Sequence, residues 1–209
     1  MNRRGMGVGQ AFTFILVVLT FSLITIFGYK IIGELLGKGE KIELVQFQKD
    51  VESSIKLLYT DFGSVREEEF RVPGKFTQVC FVDMDFPAVV AGANGKWMVP
   101  SGQDTAMDSL KEIDPIAYNL WQDARAARSD AQNTNTLEPH TGYDSVEYNV
   151  FLQPPALFKV YRIRMGDIPA SDEAPVIKRG FLCPPINHGT FSLRLEGKGD
   201  HTELSESIG

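Results

Sequence analysis

The chain has 209 residues, 43% of them hydrophobic, and a formal net charge of −6. Acidic and basic residues are interspersed, with no basic stripe beyond the N-terminus, which argues against a nucleic-acid partner. No internal repeat or long low-complexity segment is present, so solenoids and extended disordered chains are set aside.

The first element is apolar. No charged residue stands between Gly5 and Tyr29, and Ala11–Phe27 is rich in Phe, Leu, Ile and Val. As a helix the uncharged stretch is roughly 37 Å long, enough to cross a hydrocarbon core of about 30 Å with some tilt. Thr13, Thr20, Ser22 and Thr25 are compatible with lipid, because a helical hydroxyl can bond back to its own backbone. The apolar run exceeds a signal-peptide core and continues through Tyr29 and Lys30 into Ile31–Leu36, without a small-x-small cleavage site. A retained anchor is the expectation: a basic cytoplasmic N-terminus over residues 1–10 and a membrane-spanning helix in the bilayer over residues 11–36. Arg3 and Arg4 before the span predict the positive-inside orientation, with the chain beyond it outside the cytoplasm.

Gly9-Gln10, preceded by Arg3 and Arg4 and followed by the hydrophobic run from Ala11, resembles the archaeal class III signal of type IV pilin-like proteins. The resemblance covers about 30 residues at the N-terminus and implies a processing junction at Gly9-Gln10. It departs from the family at the fifth mature position, where Phe14 stands in place of the usual docking glutamate. A plain signal anchor is the alternative reading of the same residues.

Gly37-Lys38-Gly39 is expected to interrupt or hinge the helix. A second, amphipathic stalk helix is then predicted over residues 37–60. Leu44, Phe47, Val51, Ile55 and Leu58 form its apolar face, and Glu43, Lys49, Asp50, Glu52 and Lys56 lie on the others. That stripe lasts barely two heptads, which favours packing on the chain's own domain over a coiled coil.

Residues 61–209 read as the extracytoplasmic domain. Strands are predicted at Val65–Val72 and Lys75–Val82 around Pro73-Gly74, and at Ala88–Ala91 and Lys96–Val99 around Asn94-Gly95. A short helix at Ser109–Ile113 precedes a longer one. The latter is capped by Asp114, starts at Pro115, and runs to about Arg128, with Ile116, Leu120 and Trp121 inward. Ser129–Ser145 reads as a polar loop. Strands follow at Val146–Leu152, Ala156–Arg164 and Val176–Cys183. In the final hairpin Phe191, Leu193 and Leu195 alternate with polar residues, and His201–Ser205 returns. The fold class is therefore α+β: a transmembrane helix, then an amphipathic helix packed on a mostly antiparallel sheet with a helical insertion.

Cys80 and Cys183 are the two cysteines, both among apolar neighbours, and outside the cytoplasm they pair as a disulfide; two buried thiols are the alternative. Their spacing to His188 and His201 does not match the tight ligand pairs of a zinc site. Asp83-Met84-Asp85 reads as a solvated strand end rather than a calcium loop, which needs more oxygen ligands. Gly197-Lys198-Gly199 lacks phosphate-loop spacing, and no hydrolase or metalloprotease motif is present. No catalytic, cofactor or metal residue is assigned. The expected function is a non-enzymatic structural or adhesive surface protein, a minor pilin-like subunit within a homo- or hetero-oligomer of the envelope. The alternative is an anchored module binding a small ligand or glycan through aromatic residues such as Trp97 and Trp121.

Overall fold

The computed structural model describes residues 8–92, 95, 97–99, 107–129, 137–166 and 179–207, with backbone alone for 8–11 and 33–40. Arg3, Arg4, the turn residue Asn94 and the start of the strand expected at Val176 lie outside these residues. Two units divide the chain, residues 1–45 and 46–209.

A single helix, α1, runs Val8–Tyr59. The expected break at Gly37-Lys38-Gly39 does not occur. Each glycine costs about 1 kcal/mol in a helix interior, but neither clashes with helical geometry, and the flanking residues are good helix formers. Within the first unit Phe12–Ile32 is long and apolar enough to cross a membrane, and its large side chains are exposed throughout. Thr20, Ser22 and Thr25 donate their hydroxyls to the carbonyls of Leu16, Val18 and Phe21 at 2.8–3.0 Å, so these polar side chains are satisfied within the helix.

In the second unit, the last turns of α1 bury Phe47, Val51, Ile55 and Leu58, four residues of the predicted stripe, while Leu44, in the first unit, is half-buried. Two four-stranded sheets are present among the described residues, where the sequence predicted one. The first has β1 (Val65–Arg71), β9 (Thr190–Gly197), β10 (Thr202–Glu206) and β7 (Ile163–Met165) in that order. β9 pairs antiparallel with both neighbours, and β7 runs parallel to β10. The second sheet has the order β6 (Ala156–Phe158), β5 (Val150–Gln153), β2 (Gln78–Val82) and β8 (Phe181–Leu182), antiparallel throughout. A small hairpin pairs β3 (Val90–Ala91) with β4 (Trp97–Met98).

The predicted strand Ala156–Arg164 is divided between the sheets. Asn149, buried after α4, captures the crossing point: the Val160 N–H donates to its Oδ1 at 2.8 Å, and its Nδ2 donates to the Val160 carbonyl at 3.3 Å. A side chain that satisfies both backbone groups of one residue replaces the ladder there, so the strand ends.

β9 alternates buried and exposed, and its Phe191, Leu193 and Leu195 face one core. Phe47 of α1 meets Phe191 and Phe158 edge-on at 6.2 and 5.9 Å, and Phe81 of β2 meets Phe191 at 6.0 Å. β2 is buried on both faces, as its unbroken apolar run requires. Its other face, Cys80 and Val82, packs with Met84, Phe86, Met107, Leu110, Ala117, Trp121 and Ala124 in a second core under the helices. Those helices are α2 (Asp108–Ile113), α3 (Pro115–Arg128) and the short α4 (Thr141–Ser145), which lies where the sequence predicted a loop.

Asp114 caps α3 as expected: its Oδ1 accepts from the Ile116 and Ala117 amides at 3.1 and 3.0 Å. Of the expected inward residues, Trp121 is buried and Leu120 packs half-buried against the core, and only Ile116 turns outward. Ala117, Trp121, Ala124 and Arg128 are buried, while Ile116 is 41% exposed. Cys80 and Cys183 form a disulfide across 103 positions, tying β2 to the segment after β8.

Candidate functional site

Asp83 and Asp85 follow β2 directly and are 6% and 4% exposed, so the expected solvated strand end is instead a buried turn. The Asp85 N–H donates to Asp83 Oδ1 at 2.9 Å, and the Phe86 N–H to the Asp83 carbonyl at 3.1 Å. Hydrophobic β2 carries the pair inward, and long-range partners then stabilise it.

Those partners come from α3, α4 and the segment before β7. Asp85 Oδ1 accepts the Tyr143 N–H at 3.0 Å. Its Oδ2 faces Arg162 Nε at 3.1 Å and His140 Nδ1 at 3.7 Å. Arg162 and Asp85 form an ion pair there, and none of these three buried atoms meets hydrogen-bond geometry. Arg128, fully buried, donates from Nε to the Glu138 carbonyl at 2.9 Å and from Nη1 to the Pro87 carbonyl at 3.3 Å. A Cβ on Gly142 would overlap the Met84 carbonyl, so α4 approaches the acidic turn closer than any side-chain-bearing residue allows.

Lys159 closes the other side. Its Nζ donates to the Tyr143 and Val146 carbonyls at 2.8 and 2.7 Å and lies 4.0 Å from the Tyr143 ring centre. Tyr143 in turn donates its hydroxyl to the Val160 carbonyl at 2.9 Å.

Burial, reinforced by the neighbouring Asp85 charge, pushes the Asp83 carboxyl up to about 7, although Arg164 and Arg128 pull the other way. Burial lowers the Arg128 guanidinium and the Lys159 ammonium from their ordinary values. Chemically, the cluster is a charge-compensated clamp with one carboxyl poised to gain a proton near neutrality. It joins β2 to α3, α4 and the crossing segment.

Among the described residues, further concavities lie elsewhere on the domain. One, of about 370 Å³, is lined by Asp108, Tyr118, Trp121, Gln122, Arg125 and Ser129. Trp121 is 3% exposed and its Nε1 donates to the Phe86 carbonyl at 2.8 Å, so the indole is fixed in the wall. Another, of about 360 Å³, lies between α1 and β1 and includes Phe47, Asp50, Ser54, Glu68, Glu69 and Arg71.

The remaining predicted residues are dispersed. Gly9 and Gln10 belong to the backbone of α1. Cys80 and Cys183 are joined to each other. Trp97 sits half-exposed on β4, apart from the wall that holds Trp121. His188 lies in a turn at a φ of 52°, and His201 contacts Asp200 at 2.6 Å, where burial lowers its pKa. No group of three His, Cys, Asp or Glu side chains suited to a metal occurs among the described residues.

Sequence reasoning did not connect Arg128, Tyr143, Asn149 and Arg162 to the acidic turn. The one local signal was Asp-x-Asp attached directly to an unbroken apolar strand. Comparison with family models, with curated proteins and with solved structures gives no match.

Proposed function

We propose that this is a non-enzymatic, membrane-anchored surface protein with a structural or adhesive role, a minor pilin-like subunit. The carrying observation is the apolar segment Phe12–Ile32, whose large side chains are exposed throughout a helix of sufficient length to span a bilayer. Leaving that much apolar surface in water is unfavourable, and lipid relieves it. Arg3 and Arg4 ahead of the span favour an external domain, and the Cys80–Cys183 disulfide suits an oxidising exterior. Gly9-Gln10 supports the pilin-like form of this reading.

Two measurements test it. Intact-mass analysis of the membrane fraction should give a chain beginning at Gln10; an uncut N-terminus removes the pilin-like form. Protease added to intact cells should digest the C-terminal domain; full protection removes the external address.

A second reading, an anchored module for a small ligand or glycan, draws support from the concavity where Tyr118 and Trp121 stand beside Asp108 and Gln122. Glycan-array binding lost in Tyr118→Ala and Gln122→Ala would favour it, and the absence of binding would remove it.

A further inference from the structure

β1 is an edge strand whose second side is unpaired among the described residues. Its register fixes which backbone groups are used. Val72 N–H bonds the Gly189 carbonyl, and the same parity brings residues 66, 68 and 70 to β9. Val65, Glu67, Glu69 and Arg71 therefore turn their N–H and C=O groups outward. A seven-residue edge of this kind is long enough to pair another strand.

The surroundings are selective. Along this edge lies the concavity of about 360 Å³ shared with α1. Its lining is mostly polar, with Asp50, Ser53, Ser54 and Glu68 beside the almost fully buried Phe47 and Phe70. Alternation along β1 sets exposed Glu67, Glu69 and Arg71 on the face opposite Glu68 and Phe70. Full antiparallel overlap of two copies of β1 would set Glu67 against Glu69 twice and Glu68 against itself, which repels. A strand bearing lysine or arginine at alternate positions, with small or apolar residues between, meets two carboxylates against one cation on the solvent face, Glu67 and Glu69 against Arg71, and Asp50 and Glu68 on the other.

We infer that the outer edge of β1 is a strand-addition site for an extended, basic segment of a partner protein, recognised through the outward backbone groups of Glu67, Glu69 and Arg71 and the acidic run Glu67–Glu69.

The test uses the full-length chain in non-ionic detergent micelles, which do not attract a cationic peptide. The probe is acetyl-Lys-Val-Lys-Val-Lys-Val-Lys-amide, titrated while amide exchange is followed residue by residue. Saturating peptide should slow exchange at Glu67, Glu69 and Arg71 by about tenfold or more, while Glu68 and Phe70, already bonded to β9, change little. Combined Glu67→Lys and Glu69→Lys substitutions on the exposed face should weaken binding about tenfold and admit the peptide with glutamate in place of lysine. Unchanged exchange at the three amides overturns the proposal, as does equal binding to the charge-reversed variant. Concentration-dependent protection of these amides without peptide also overturns it, since a second copy then holds the edge.

Discussion

Asp83 is the residue at which burial and charge act most strongly on one another. Its carboxyl moves from the ordinary 3.8 to about 7, so the folded state retains a proton that the unfolded chain has released between those values. The stability contributed by neutral Asp83 is thus complete below pH 4 and lost as the pH rises through about 7, by at most about 4 kcal/mol. Asp83→Asn keeps an acceptor for the Asp85 N–H and cannot ionise. Urea unfolding at pH 5 and pH 8 should show a smaller loss in this variant than in the parent chain. Gly142→Ala drives a methyl group into the Met84 carbonyl and should cost about 1–3 kcal/mol in the same assay. Neither effect is legible from a single sequence. Asp83-Met84-Asp85 looks hydrophilic in isolation, and its cations Arg128, Arg162 and Arg164 enter only through tertiary packing.

Elements governed by local chemistry are the ones the sequence resolves. Asp114 followed by Pro115 predicts the start of α3, and alternation at Phe191, Leu193 and Leu195 predicts the hairpin of β9 and β10. Asp114→Ala removes the carboxylate that accepts from two amide N–H groups and should destabilise the domain by about 1–2 kcal/mol, read by thermal unfolding. Elements that depend on distant partners are less visible. Asn149 divides one predicted strand between two sheets, and the parallel pairing of β7 with β10 carries no local signature. The inward face of α3 is legible at Trp121 and Leu120 but not at Ile116, because small Ala117 and Ala124 permit close packing while larger Ile116 faces outward. Opening the Cys80–Cys183 bond, by Cys80→Ser with Cys183→Ser, restores chain entropy to the unfolded state and should cost about 4–5 kcal/mol in the chain-entropy treatment; denaturant unfolding of the two forms checks this.

At the scale of the whole molecule, the composition of α1 changes along its length, from an exposed apolar run at Phe12–Ile32 to a one-sided stripe at Phe47, Val51, Ile55 and Leu58. Val18→Arg together with Ile24→Arg should place two charges in the apolar run at roughly 2.5–3.5 kcal/mol each on the insertion scale. After carbonate extraction, more of this variant than of the parent chain should appear in the soluble fraction. A difference in the opposite direction would count against lipid as the environment of that segment. The disulfide has a mechanical consequence as well. Under tension applied at the chain ends, the 103-position loop between Cys80 and Cys183 cannot pay out while the sulfur bond holds. At about 3.3–3.6 Å per extended residue, that withholds roughly 350 Å of contour length. Reductant would release this slack, making oxidised molecules short tethers and reduced ones long.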